Sequence, residues 1–269
     1  MKVVLFCGGL GTRLREHSDT IPKPLVNIGV RPIIWHLMRY YAHFGHKEFI
    51  LCLGYRGELI REYFLNYVEA LSNDFTMSDG GRTIDLHTSD IQDWRITFVD
   101  TGLHSNIGER LLAIRKYVKG DRVFLANYSD GLSDAHLPSL VEVFEREKSI
   151  ATLVGVRTPQ SFHSIQVEDD SSIVERIGPV DTAGLWINGG FFVLSSRIFD
   201  YIEPGDELVD KPFQRLIGEK KLSVVRHEGF WQSMDTLKDK INFDRMYALG
   251  RAPWEVWNSE RCAPDSRHR

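Results

Sequence analysis

The sequence predicts an α/β fold in which a mostly parallel, mixed sheet is flanked by helices. Three observations predict it. Short apolar runs stop at glycines, segments of helical periodicity alternate with those runs, and 269 residues suffice to bury a sizeable core. Residues 2–7 form the first apolar run, a buried strand closed by Gly8-Gly9. Residues 32–44 carry Ile33, Ile34, Leu37, Tyr40, Tyr41 and Phe44 near helical spacing and stop at Gly45. Residues 48–53 read as a second strand and 58–70 as a second helix. A strand at 123–126 ends at the turn around Asp130-Gly131, followed by a helix at 137–147 and a strand at 150–156. This βαβα order argues for helices on both faces of the sheet. Such sheets place ligands in the crevice beyond the carboxyl ends of their strands, where both the Gly8 loop and Asp130 fall. Residues 72–94 interrupt the pattern as a polar excursion with Gly80-Gly81 at its centre, a candidate hairpin. From Ser164 onward short strands dominate, at 190–194 and 222–226, and form a smaller β-rich part. Residues 1–257 read as one domain and 258–269 as a polar tail.

The formal net charge of −4 gives no reason to expect a nucleic-acid partner or an acidic membrane surface. No apolar run approaches the roughly 18 residues that a membrane span needs. The three cysteines, Cys7, Cys52 and Cys262, show no metal-ligand spacing. Cys7 and Cys52 sit in apolar runs as small core residues, and a reducing cytoplasm is the natural setting.

The chemistry concentrates in Gly8-Gly9-Leu10-Gly11-Thr12-Arg13. Glycines after a strand let backbone amides approach a phosphate chain without side-chain clash. The loop has no Gly-Lys-Ser/Thr and no acid about 20 residues on, so it is neither a Walker A loop nor a good dinucleotide fingerprint. Arg13 and Lys23 bring two cations to one short segment. Pro22 and Pro24 stiffen the backbone around Lys23, as suits a lysine that must meet a phosphate at a fixed place.

Strand-Gly-Gly-x-Gly-Thr-Arg-Leu followed by Pro22-Lys23-Pro24 resembles the sugar-phosphate nucleotidyltransferases. Asp130-Gly131-Leu132-Ser133-Asp134, Trp186-Ile187-Asn188-Gly189-Gly190, Gly229-Phe230-Trp231-Gln232-Ser233-Met234-Asp235-Thr236 and the closing Ala252-Pro253-Trp254-Glu255-Val256-Trp257 are similar to the glucose-1-phosphate cytidylyltransferase branch. The resemblance implies a Rossmann-like nucleotidyltransferase fold. It also implies a single displacement in which a sugar 1-phosphate attacks the α-phosphorus of CTP and pyrophosphate leaves. By this resemblance Gly8, Gly9, Gly11 and Thr12 hold the triphosphate, and Arg13 neutralises its outer phosphates. Lys23 stabilises the transition state near the α-phosphate. Asp130 and Asp235 match the metal-binding pair, and Mg²⁺ prefers such hard oxygen ligands. Gly108 and Arg110 match the segment that lines the base, and Asn188 and Gly189 the segment that meets the sugar. Trp186 and Trp231 are candidate walls of the sugar pocket. The branch also implies homo-oligomeric assembly, with residues 72–94 as the candidate contact.

Departures fall on the acceptor side. Where the family has Glu-Lys-Pro, this chain has Glu175-Arg176-Ile177, and arginine does not replace lysine without a change of geometry. His163 stands where the branch has a glycine facing the sugar, Ser129 replaces the first glycine of Gly-Asp-Gly, and Lys211 replaces an acid before Pro212. These changes leave three readings beside glucose 1-phosphate with CTP. They are the same chemistry with UTP or dTTP, a non-glucose phosphorylated acceptor, and a catalytically silent nucleotide-sugar regulator.

Overall fold

The computed structural model describes residues 1–9, 21–157, 163–167, 172–179 and 185–258. Gly11, Thr12, Arg13, Cys262, the side chain of His163 and residues 259–269 of the expected tail lie outside the described residues. The chain begins with β1 (Lys2–Phe6), a short ladder of β2 (Asn27–Ile28) and β3 (Arg31–Pro32), α1 (Ile33–His43), β4 (Glu48–Leu53) and α2 (Gly57–Leu65). It continues through β5 (Phe75–Ser78), β6 (Thr83–Leu86), β7 (Arg95–Asp100), α3 (Ile107–Ile114), β8 (Val123–Asn127), β9 (Gly131–Ser133) and α4 (Leu137–Arg146). The last elements are β10 (Ala151–Val156), β11 (His163–Val167), β12 (Val174–Pro179), β13 (Ile187–Ser195), α5 (Lys211–Gly218), β14 (Leu222–His227), β15 (Trp231–Ser233) and α6 (Leu237–Ala248).

A seven-stranded sheet runs in the order β14-β10-β13-β8-β1-β4-β7. β1 pairs in parallel with both β4 and β8, β4 with β7 and β10 with β14, whereas β13 is antiparallel to β10 and β8. The sheet is therefore mostly parallel with one reversed strand. The apolar run of β1 follows from this position, since a central parallel strand is covered on both faces. Val3 and Leu5 pack in one core with Leu37 and Tyr41 of α1. Val4 and Phe6 pack in a second core with Leu111 of α3 and Phe192 of β13. Among the described residues no helix is long and apolar enough to cross a membrane.

The structure departs from the sequence reading in two places and bears out the hairpin expected in residues 72–94. The helix expected to reach residue 70 ends at Leu65, and Val68 is extended. Buried Arg31 draws this stretch in: its guanidinium donates to the carbonyl of Val68 at 2.7 Å and to Ser72 Oγ at 2.6 Å, and lies 4.0 Å from the centroid of the Tyr67 ring. The same cluster anchors residues 72–94, because Tyr67 and Ser72 both donate to Asp90 Oδ2. Beyond that anchor, β5 and β6 form an antiparallel hairpin whose turn holds Gly80 and Gly81 at positive φ. The second departure is that α5 and α6 lie where short strands were expected to dominate, and β13 and β14 join the main sheet. α6 had a readable signal: Thr236 and Asp239 form a reciprocal capping box at its start.

The closing segment packs as core. Trp254 is 1% exposed, and its ring lies against Phe230, Phe243 and His36. Its Nε1–H donates to His36 Nδ1 at 3.3 Å, while His36 Nε2 meets the carbonyl of Ile28 at 3.1 Å. These partners require a neutral ring that donates from Nε2 and accepts at Nδ1. Burial pushes the His36 pKa down to about 4, against the opposing pull of the Ile28 and Arg31 backbone and with the Glu255 carboxylate 4.0 Å away. A depressed histidine stabilises the fold above its unfolded pKa of about 6.5, and that stability is lost as pH falls toward the folded value. Urea denaturation at pH 7 and pH 5 is expected to show a loss of on the order of 1–2 kcal/mol in the wild type. His36→Gln, which retains an amide donor, should flatten this dependence; an unchanged slope would refute the role of His36.

Candidate active site

The site lies beyond the carboxyl ends of β1 and β8. β1 runs into Cys7, Gly8 and Gly9, and Cys7 N donates to the carbonyl of Cys52 at 2.9 Å, which extends the parallel pairing. Gly8 has a steric reason to be glycine: a Cβ there would lie 2.1 Å from Arg110 Nη1. Arg110 is 3% exposed and sits beneath the loop. Its Nη2 donates to the Gly8 carbonyl at 3.0 Å, and its Nη1 meets Thr101 Oγ1 at 2.6 Å and the carbonyls of Gly102 and Leu53 at 3.1 and 3.2 Å. The residue that the resemblance assigns to the base is thereby tied to the glycine loop. A buried guanidinium needs acceptors on every side, and here backbone carbonyls provide them. Gly108, assigned with it, precedes Arg110 by two residues. It packs in the first turn of α3, where a Cβ would fall 2.1 Å from the carbonyl oxygen of Asp206.

Lys23 opens a 3-10 turn, with Pro22 extended before it and Pro24 buried after it. Its ammonium donates to Asp130 Oδ2 at 2.8 Å and to Asp235 Oδ1 at 2.7 Å. The two acids come together because β9 pairs with β15 in a register that sets Gly131 opposite Ser233. One further hydrogen bond, from Met234 N to the Asp130 carbonyl at 2.8 Å, closes the end of that ladder. Asp235 is fixed twice more, by Ser233 Oγ on its Oδ2 at 2.6 Å and by its own N–H on Asp239 Oδ2 at 3.1 Å. Burial alone would lower the Lys23 pKa, but Asp130 and Asp235 outweigh it and hold the amine above its ordinary value. Among the described residues no group of three or more acids, histidines or cysteines gathers here. Asp134 faces away from the pair and accepts from His227 Nε2 at 2.8 Å.

Lys23, Asp130 and Asp235 border a cavity of about 430 Å³, together with Gly9, Asn127, Tyr128, Ser129, Asn188, Gly189 and Trp231. Asn188 Nδ2 donates to Tyr128 Oη at 3.0 Å, and its Oδ1 accepts from Gly190 N at 2.9 Å, which fixes the amide. Trp231 Nε1 donates to the Gly189 carbonyl at 2.8 Å. Ser129 adopts a φ of 65°, a region that favours glycine. Its hydroxyl donates to the Phe6 carbonyl at 2.7 Å and its N–H to Asn127 Oδ1 at 2.9 Å, so two hydrogen bonds offset the strain. Tyr128 and Asn127 were not signalled by the sequence beyond their place before Ser129-Asp130.

Other acceptor-side expectations separate from this cavity. Glu175 and Arg176 are exposed on β12, which pairs only with β11, and neither borders the cavity. The backbone of His163 pairs with Pro179 in the same ribbon. Trp186 does not border the cavity either. The Arg157 and Arg226 guanidinium carbons lie 5.1 and 5.7 Å from its ring centroid.

Comparison with known proteins agrees with this geometry. The nucleotidyl transferase family matches residues 2–239. The glucose-1-phosphate cytidylyltransferases of Salmonella typhi and Salmonella typhimurium are each 38% identical over 258 residues, covering 96% of this chain and all of theirs. A crystal structure of UDP-glucose pyrophosphorylase with UDP-glucose superposes with a TM-score of 0.67 at 15% identity, over 93% of this chain and 99% of that one. Its identity is low enough that it speaks for the fold alone. A mostly parallel sheet, a glycine loop at the end of its central strand and a lysine shared by two aspartates thus meet in one chain, which belongs to the sugar-phosphate nucleotidyltransferase family, in its cytidylyltransferase branch.

Proposed function

We propose that this nucleotidyltransferase moves the cytidylyl group of CTP to a sugar 1-phosphate, glucose 1-phosphate or a related acceptor, and releases pyrophosphate. The observation that carries the reading is the Lys23 ammonium held between Asp130 and Asp235 at the edge of a cavity that Gly9 and Asn188 also border. Transfer of this kind depends on positioning and on stabilising charge. Gly8, Gly9, Gly11 and Thr12 are assigned to the triphosphate and Arg13 to its outer phosphates. Lys23 is assigned to the negative charge on the α-phosphate oxygens in the transition state. Asn188 and Gly189, with an oriented amide and a fixed backbone, are assigned to the sugar.

The two carboxylates suit a hard divalent cation, since they converge on one point and leave further positions for phosphate oxygens and water. Asp130 and Asp235 would hold Mg²⁺, which when bound polarises phosphate oxygens as a Lewis acid. The Lys23 ammonium offsets part of the charge of the two acids, and a net negative charge remains to attract a cation. A cytoplasmic location is in keeping with two buried thiols, Cys7 and Cys52, that are not joined in a disulfide.

Assembly is proposed through the β5–β6 hairpin. Phe75 stands opposite Leu86 and Met77 opposite Ile84, so four exposed apolar residues share one face of a ribbon whose base is anchored. A second copy offering the same face would cover it. Sedimentation should show an oligomer that Met77→Lys with Ile84→Lys dissociates; an unchanged mass would remove the hairpin from the interface.

Pyrophosphate release across CTP, UTP, dTTP, ATP and GTP, each with a panel of sugar 1-phosphates, is expected to favour CTP. A preference for another base would overturn the assignment, and tight nucleotide binding without turnover on any pair would favour the regulator. Lys23→Ala and Asp235→Asn should each lower kcat by at least about 100-fold while the protein stays folded by circular dichroism. Rates near wild type in either variant would remove that residue from the machinery.

A further inference from the structure

The glycine loop follows β1, and Asn188 stands on β13. Between these strands lies β8, which ends at Asn127 and leads into Tyr128. Two strand spacings, about 10 Å, therefore separate β1 from β13. Among the described residues that border the cavity, only Lys23, Asp130 and Asp235 are charged. Its β13 side is neutral and holds Tyr128, Asn188, Gly189 and Trp231. A ligand is read there through hydrogen bonds and shape rather than charge.

The hydrogen bonds give that side a polarity. Asn188 Oδ1 accepts from Gly190 N, and a backbone N–H can only donate, so the amide cannot turn over and its Nδ2 must act as donor. Nδ2 donates to Tyr128 Oη at 3.0 Å. The Tyr128 hydroxyl therefore accepts from Asn188, and its single proton is left for another acceptor. Among the described residues none takes it. The neighbouring acceptors are already engaged, the Gly189 carbonyl by Trp231 Nε1 and Asn127 Oδ1 by Ser129 N. Asn127 Nδ2 and Ser129 Oγ donate elsewhere, to Tyr41 Oη and to the Phe6 carbonyl. The Tyr128 ring is also fixed. It packs against Phe6 and Phe192, and a Cβ on Gly190 would lie 2.7 Å from its Cδ2. A half-buried, immobile hydroxyl thus keeps one donor without a partner beside the Asn188 amide.

We propose that Tyr128 is a specificity-determining residue that donates its hydroxyl proton to one oxygen of the acceptor sugar, so that this sugar position is read as a hydrogen-bond acceptor. The inference rests on the cytidylyltransferase reading and narrows its acceptor class. The site takes sugar 1-phosphates that carry an oxygen at that position, hydroxyl or keto. It discriminates against those that do not, because they leave the phenol proton unpaired. Tyr128 acts on a part of the sugar remote from the reacting phosphate, so its effect falls on binding rather than on the chemical step.

The test compares CTP-dependent turnover of glucose 1-phosphate with its deoxy and fluoro analogues at C2, C3, C4 and C6, in the wild type and in Y128F. In the wild type, loss of the oxygen at one position should lower kcat/KM at least about tenfold, and the fluoro analogue there, which accepts but cannot donate, should lose less. Y128F should lower kcat/KM for glucose 1-phosphate about tenfold, mainly through the acceptor KM, and leave the CTP KM within about twofold of wild type. At that one position Y128F should no longer distinguish the hydroxyl from the deoxy sugar, while the penalties at the other positions persist. A merely structural role for Tyr128 would weaken every analogue by the same factor and preserve every deoxy penalty, which would overturn the proposal. So would a wild-type acceptor KM in Y128F, or a fluoro loss as large as the deoxy loss. If no acceptor turns over with CTP, the cytidylyltransferase reading fails by itself. Calorimetric titration with glucose 1-phosphate and the same analogues then decides the role of Tyr128. A deoxy penalty that Y128F erases would uphold it; a penalty unchanged in Y128F, or no binding of glucose 1-phosphate, would overturn it.

Discussion

One ammonium group organises the working end of this protein. Lys23 lies between Asp130 and Asp235, and without a cation two carboxylates sharing one partly buried place would repel. Several local structures exist to make that meeting possible. Prolines on both sides limit the backbone of Lys23, the β9–β15 ladder brings Asp130 and Asp235 together, and the α6 capping box holds Asp235 by its N–H. The three residues are separated by 107 and 212 positions in the chain, so they can converge only if the whole sheet is in register.

The reversed strand β13 is the second determinant. Because it runs against its neighbours, its first residues rather than its last lie at the ligand end of the sheet. Asn188 and Gly189 therefore reach the cavity from the start of a strand whose remainder, Phe191 to Leu194, is buried core. A strand parallel to β8 would have brought its final residues there instead. This edge of the cavity thus combines a rigid floor with an entry segment on one element.

Much of the fold was legible because buried parallel strands leave uninterrupted apolar runs, as in Val3-Val4-Leu5-Phe6 and Phe49-Ile50-Leu51-Cys52. The helices α3 and α5 were harder to see, since eight residues hold barely two periods. Within the site, Lys23 showed itself through its flanking prolines, but nothing local tied it to Asp235; only the family resemblance joined them. The burial of Arg110 was not legible for a physical reason. An arginine in a polar segment reads as a surface donor, and its burial depends on four acceptors contributed by Leu53, Thr101, Gly102 and Gly8, which sequence spacing does not bring together.

The burial of Arg110 has an electrical consequence. All described peptide bonds are trans, so the carbonyl of Gly8 and the N–H of Gly9 point in opposite directions from the bond they share. Arg110 holds that carbonyl from below. The Gly8–Gly9 peptide is thereby a dipole clamped at its negative end, with its positive end directed away from Arg110. An arriving anion finds this dipole already aligned, and no reorientation work is required. In a chain of net charge −4, a single neutral peptide unit thus presents a fixed positive pole.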